Sequence, residues 1–186
     1  MSEPARKKAT YDDLYSVPDH MIGEIINGEL VVTPRPTPKH ITAATSLVIK
    51  IGGPFRFGDG GGPGGWRIVQ EPELRLGEHI LVPDLAGWRR ERLPRLPKEN
   101  WFEVPPDWIC EVLSPGTART DRVRKMPIYA EFGIPYLWLV DPIIKTLEVY
   151  KLESGRWFSL GVYSEDERVR AEPFQEVELD LSLIWD

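Results

Sequence analysis

The chain has 186 residues, 41% of them apolar, and a formal net charge of −6; that is enough apolar sequence for one well-packed domain, and nothing in it demands two. Its single cysteine, Cys110, excludes an internal disulfide and a cysteine-based zinc site, and the negative balance argues against a large nonspecific nucleic-acid surface. The opening MSEPARKKAT has no signal-type apolar run and no stretch approaches the length of a membrane span, so a cytoplasmic location away from membranes is expected.

Thr10 followed by Asp13 resembles a capping box and predicts a short helix that Pro18 should end. Two apolar runs around Asn27-Gly28, from Ile22 to Val32, predict a hairpin. The proline-rich TPRPTP of residues 33–38 reads as a connection, and Ile41, Thr45, Val48 and Ile49 recur at helical spacing before Gly52-Gly53. Residues 52–65, GGPFRFGDGGGPGG, lack the Gly-Lys-Ser/Thr ending of a phosphate loop and are expected to be a flexible surface loop. Trp66 to Leu76 and Ile80 to Trp88 predict antiparallel strands, the second with Ile80, Val82, Asp84, Ala86 and Trp88 on one face.

Leu93 to Asp107 is a proline-rich, partly basic excursion leading to the run WICEVLSP, residues 108–115. That run is apolar on both alternating faces, the pattern of a strand buried on both sides, and Glu111 sits inside it. A helix is predicted from about Thr120 to Phe132, ended by Gly133, with Asp121, Lys125 and Tyr129 on one face and Pro127 as a complication. Tyr136 to Val140 is a further buried strand, Leu147 to Leu152 and Trp157 to Tyr163 form a hairpin turning at Ser154-Gly155, and the last third supplies more antiparallel strands. The sum is a single mixed α/β domain over 1–186, with one crossover unit of parallel strands across Ile109 to Val140.

Asp84 and Glu111 are carboxylates among apolar neighbours on consecutive predicted strands. An unpaired carboxylate is costly to bury, so each should gain a partner, bind a cation or take up a proton. If the strands pair, two hard oxygen donors can converge at one sheet end, a donor set suited to Mg2+ or Mn2+, with Lys125 on the next helix able to orient water or stabilise developing charge. Each residue also has an ordinary reading: Asp84 after Pro83 can hydrogen-bond a turn, and Glu111 can pair with Arg119, Arg122 or Lys125. His20 and His79 read as surface residues, and His40, before the second helix, as a cap or surface residue.

Pro83-Asp84, Glu111 in EVLSP, Asp121-x3-Lys125-x3-Tyr129 and GIPYLWLVDP from Gly133 to Pro142 together resemble the bacterial Uma-type endonuclease family. That family is placed in the PD-(D/E)xK, restriction-endonuclease-like superfamily, and GEIINGELVV from Gly23 to Val32 resembles its N-terminal hairpin. The resemblance runs from about Tyr11 to Leu152. It implies a restriction-endonuclease-like core, a central mixed sheet flanked by helices with extra antiparallel hairpins at both ends.

By resemblance, Asp84 and Glu111 are the metal-binding acids, the main-chain carbonyl of Val112 is a third ligand, and the superfamily lysine has moved from the position of Leu113 to Lys125. Glu24, Asp121 and Tyr129 are further candidates, and Arg89, Arg90, Arg119, Arg122 and Arg124 are expected to meet nucleic-acid phosphates. The implied activity is Mg2+- or Mn2+-dependent hydrolysis of DNA by a homodimer with no organic cofactor. The alternative is a non-catalytic homo-oligomeric nucleic-acid- or protein-binding module on the same scaffold.

Overall fold

The computed structural model describes residues 8–185. Residues 1–7 and 186, part of the expected single domain, lie outside the described residues.

The first elements build a small sheet. A short helix α1 (Tyr11–Leu14) opens on the expected box, the Asp13 carboxylate accepting the Thr10 N–H at 2.7 Å. Strands β1 (Met21–Ile26) and β2 (Glu29–Pro34) pair antiparallel across Asn27-Gly28, whose φ values of 54° and 74° are the left-handed conformation a two-residue hairpin turn requires. Helix α2 (Pro38–Ile51) follows, with proline in its first turn and Ala43, Ala44, Leu47 and Ile51 buried. Residues 52–65 are not an unstructured loop throughout: α2 runs on through a π-helical turn (Gly52–Phe57) and a 3₁₀ turn (Asp59–Gly61). Phe55 anchors this stretch in the core, and Arg56 donates to the Ile68 carbonyl at 2.9 Å.

The two long strands expected over 66–88 are four short ones. β3 (Trp66–Gln70) and β6 (Leu85–Arg89) pair in the main sheet, whereas β4 (Leu74–Leu76) and β5 (His79–Leu81) form a hairpin that joins the small sheet, ordered β2-β1-β5-β4. Glu71 at φ 46° and the prolines at 72 and 83 interrupt the ladder, so Asp84 stands just ahead of a strand instead of within one.

The main sheet continues through β7 (Trp108–Val112), β8 (Tyr136–Asp141), β9 (Thr146–Glu153) and β10 (Arg156–Ser164), in the order β10-β9-β8-β7-β6-β3. Within this sheet, among the described residues, only β7 and β8 pair in parallel, joined by the expected crossover. β11 (Arg168–Val169) and β12 (Leu179–Asp180) form a separate two-stranded ribbon.

β7 lies between two cores. Trp108, Cys110 and Val112 face one that includes α2 and Phe174, while Ile109 and Leu113 face another that includes Ile26, Leu81, Ile128 and Tyr129. Gly87 on β6 lets the first core close, since a Cβ there would stand 3.2 Å from both the Trp66 and Trp108 rings. The architecture is the mixed α+β one expected, with helices on both faces of a central mixed sheet.

Candidate active site

One pocket of about 270 Å³ opens where β7 ends, lined among others by Glu24, His40, Asp84, Glu111, Asp121 and Lys125. Four pieces of chain converge there: the β1–β2 hairpin, the connection into the first turn of α2, the segment ahead of β6 that carries Val82 and Asp84, and the segment leaving β7.

The register explains the two acids. β6 and β7 pair antiparallel with Leu85 opposite Cys110, so the next step along the ladder puts Asp84 across from Glu111. Asp84 Oδ2 accepts the Val112 N–H at 2.7 Å, and Asp84 Oδ1 lies 3.2 Å from His40 Nε2. Glu111, 2% exposed, points into the second core face, where Oε1 accepts the Tyr129 hydroxyl at 2.5 Å and meets Lys125 Nζ at 3.3 Å. Among the described residues Oε2 of Glu111 has no hydrogen bond.

Lys125 arrives by way of a change of helix type. After the Ser114–Thr117 turn, α3 (Ala118–Thr120) passes through a π-helical turn (Asp121–Lys125) and resumes as α4 (Met126–Glu131). Pro127 falls in the first turn of α4, where its missing N–H is tolerated, and the wider turn ahead of it keeps Asp121 and Lys125 on one buried face. Lys125 Nζ stands 3.0 Å from Glu24 Oε1, 3.3 Å from Glu111 Oε1 and 3.3 Å from Asp121 Oδ1. Glu24 in turn accepts the Val82 N–H at 2.8 Å. All five acid and base candidates of this cluster, with Tyr129, are therefore brought together.

The cluster is short of positive charge: Glu24, Asp84, Glu111 and Asp121 face Lys125 and one imidazole. Burial pushes the Glu111 carboxyl well above its usual range, Lys125 opposes this, and the neighbouring carboxylates reinforce it. Burial works to discharge Lys125, but Glu111 and Glu24 outweigh it and hold the ammonium well above its ordinary pKa. Burial and the adjacent Glu111 push the Tyr129 phenol up, so its hydroxyl keeps the proton it donates.

His40 is not where its expected cap or surface role would place it: it is buried, 7% exposed, and sits against Asp84. Burial disfavours its charged form, but Asp84 and the Val112 main chain reverse this and leave its pKa raised. A lone histidine after a proline-rich connection carries no pattern that reveals this; only its place one residue short of the helical repeat marked it. His79 is also buried, its Nδ1 accepting the Asn27 N–H at 3.1 Å, while His20 is exposed as expected. Arg35 of TPRPTP, assigned no role in the sequence, lies at the pocket rim.

The arginines are dispersed. Arg89 lies over the Trp66 ring, 4.2 Å from its centroid, and Arg90 donates to the Arg56 carbonyl at 2.9 Å. Both stand at or just past the far end of β6, about 16–20 Å from Asp84 along an extended chain. Arg122 pairs with Glu148, and Arg124 bridges the Ile26 carbonyl and Glu29 at 2.9 Å each. Arg119 is exposed near the pocket segment.

Asp84 Oδ1, Glu111 Oε2 and the Val112 carbonyl are hard oxygens of the type a divalent cation takes. Among the described residues, however, no three His, Cys, Asp or Glu side chains converge in an arrangement that would hold a metal ion. Glu111 is turned toward Lys125 and Tyr129 instead.

No curated protein matches this sequence. Among solved structures, a chain from Anabaena variabilis ATCC 29413 described as "a putative nuclease belonging to DUF820", at 1.96 Å resolution, is similar with a TM-score of 0.76. It is 26% identical, and the similarity covers 95% of this chain and 97% of that one. A family model described as "Putative restriction endonuclease" matches residues 9–183, and on that span the chain belongs to the Uma2 family.

Proposed function

We propose that this protein is a Mg2+- or Mn2+-dependent endonuclease that hydrolyses DNA phosphodiester bonds. The observation that carries the reading is the meeting of Asp84, Glu111 and Lys125 in one pocket, from three elements far apart in sequence. Asp84, Glu111 and the Val112 carbonyl would hold the cation. A divalent ion so held polarises a phosphoryl oxygen and makes its bound water more acidic.

The remaining work falls to the chain's own groups. The Lys125 ammonium, fixed by Glu24 and Asp121, offers positive charge where the phosphorane becomes more negative, in a pocket where water screens it little. Glu24 and Asp121 position Lys125, and Tyr129 fixes one oxygen of Glu111. Exposed Arg119 and rim residue Arg35, whose Nη2 donates to the Asp19 carbonyl at 3.1 Å, are suited to flanking phosphates, with Arg122 and Arg124 requiring release from their present partners. Arg89 and Arg90 would reach only DNA extending along the sheet. A homodimer would let two such sites address both strands.

A non-catalytic binding module draws on a separate observation: Lys125 is already engaged by three carboxylates and, among the described residues, no three side-chain ligands converge. One experiment divides the readings. Supercoiled, linear and branched DNA are incubated with Mg2+ or Mn2+ and the wild type, Asp84→Asn or Glu111→Gln protein. Metal-dependent cleavage that falls by about 10²-fold or more in both variants is expected. Equal cleavage by wild type and variants would remove the assigned residues, and retention of DNA without cleavage or metal binding would favour the module.

A further inference from the structure

The two edges of the main sheet differ. β3 is covered on its outer side, where the π-helical turn lies against it and Arg56 donates to the Ile68 carbonyl at 2.9 Å. β10, nine residues long at the other edge, pairs with β9 and, among the described residues, with no other strand. It carries Phe158, Leu160 and Val162 at 49%, 40% and 61% exposure. A long apolar edge of this kind is a template for another strand.

Which main-chain groups of β10 are open follows from the register. The Leu152 N–H bonds the Pro135 carbonyl at 2.9 Å, so the even-numbered residues of β9 turn their N–H and C=O toward β8 and the odd-numbered ones toward β10. Opposite those odd residues stand Arg156, Phe158, Gly161 and Tyr163; Trp157, Ser159, Val162 and Ser164 therefore face outward. Glu167 already takes both groups of Ser164, its Oε1 accepting the N–H at 2.7 Å and its own N–H donating to the carbonyl at 3.1 Å. The β-bulge between Ser159 and Gly161 leaves Ser159 and Val162 placed symmetrically about the link from Leu160 to Gly161.

We infer that β10 joins β10 of a second copy of this chain, antiparallel about a twofold axis at that link, so that the two main sheets run on as one. Ser159 of each copy then stands opposite Val162 of the other, each pair exchanging both its hydrogen bonds, and the two bulges face each other. A regular strand has no matching bulge, so the occupant that fits is another copy. The side chains agree. Phe158 meets Tyr163 on one face of the joined sheet, and exposed Arg156 meets the exposed carboxylate of Glu165. The inference rests on the homodimer of the reading above and not on its reaction: β7 lies three strands in from β10, so neither pocket is part of the joint.

Cys110 is the chain's single cysteine and is buried, so introduced thiols report alone. Ser159→Cys combined with Val162→Cys sets the two Cα atoms about 5.5 Å apart across the joint, within disulfide reach. That double variant is expected to oxidise to a covalent dimer, and each single variant is not. Analytical ultracentrifugation of the full-length wild type should show a dimer whose dissociation constant rises by about tenfold or more in Arg156→Glu and recovers in Arg156→Glu with Glu165→Arg. Val162→Pro removes an outward N–H that β9 does not use and should leave a monomer, with the melting curve reporting that it folds. If that variant does not fold, the charge reversal and the cross-link decide. A monomeric wild type, or a dimer that ignores the charge reversal and does not cross-link, would overturn the joint whatever the cleavage assay gives. A cross-linked dimer without nuclease activity would support the joint and count against the reaction alone.

Discussion

Lys125 is the residue on which the buried charges balance. Among the described residues its ammonium is the one lysine or arginine charge paired with Glu24, Glu111 and Asp121, all nearly inaccessible to solvent. Removing one partner of a buried ion-pair cluster leaves the others uncompensated, a larger loss than the net worth of the pairs. Lys125→Met is therefore expected to cost about 3–5 kcal/mol in urea unfolding, and Lys125→Met with Glu24→Gln less than the single change. A single variant as stable as wild type would show that the carboxylates do not depend on Lys125. Asp84 and Glu111 were legible as carboxylates interrupting apolar runs and Asp121, Lys125 and Tyr129 as one helical face, whereas Glu24 and the roles assigned to all of them came with the family resemblance. The absent lysine at Leu113 is legible in physical terms only with the fold: Leu113 packs in the second core, and the ammonium reaches the same glutamate from a helix. The burial of His40 against Asp84 was not legible, because a single histidine ahead of a helix has no spacing to read and the contact spans 44 positions of chain.

At the scale of elements, the π-helical turn is tied down on both sides, by Arg124 to the β1–β2 hairpin and by Arg122 to β9. The hydrogen bond from Arg122 lowers the Glu148 pKa, with burial opposing and the Tyr150 hydroxyl, 2.6 Å away, assisting. A carboxylate whose pKa is depressed by folding stabilises the fold above its unfolded value, near 4.5, and loses that contribution as pH falls through the folded value. Glu148→Gln should thus lower stability by about 0.5–1 kcal/mol at pH 7, a small figure because Arg122 is partly solvated, and converge with wild type in acid. Urea midpoints between pH 7 and pH 3 measure this; two parallel curves would mean that the pair contributes nothing to the fold. The turn itself could not be read from spacing, which gives the shared face of Asp121 and Lys125 but not the change of helix type that reconciles it with Pro127. Nor could spacing divide residues 66–88 between two sheets, since the alternation of apolar residues continues across the breaks at Glu71 and Pro83.

Over the whole molecule, β7 separates two functions along with two cores. Its Trp108, Cys110 and Val112 side chains pack toward Phe174, whose ring lies 4.7 Å from Phe55, 4.8 Å from Trp66, 4.9 Å from Trp108 and 5.6 Å from Trp138. Glu111 points the other way, toward Tyr129 and Lys125. Phe174 therefore holds the chain's last segment onto the sheet without touching the pocket. Phe174→Ala removes a ring that four others surround, and is expected to cost about 3–5 kcal/mol, or a fall in melting temperature of roughly 6–20 °C for a chain of this size. Because Glu111, Asp121, Lys125 and Tyr129 meet on the opposite face, Mn2+ affinity measured at 10 °C, where the variant stays folded, should remain within about twofold of wild type. Calorimetric titration alongside thermal melting separates the two effects. Loss of metal affinity in the folded variant would mean that β7 is not the partition its two faces suggest, and that the C-terminal packing sets the geometry of the site through Val112, the one residue of the strand that packs with Phe174 and also lines the pocket.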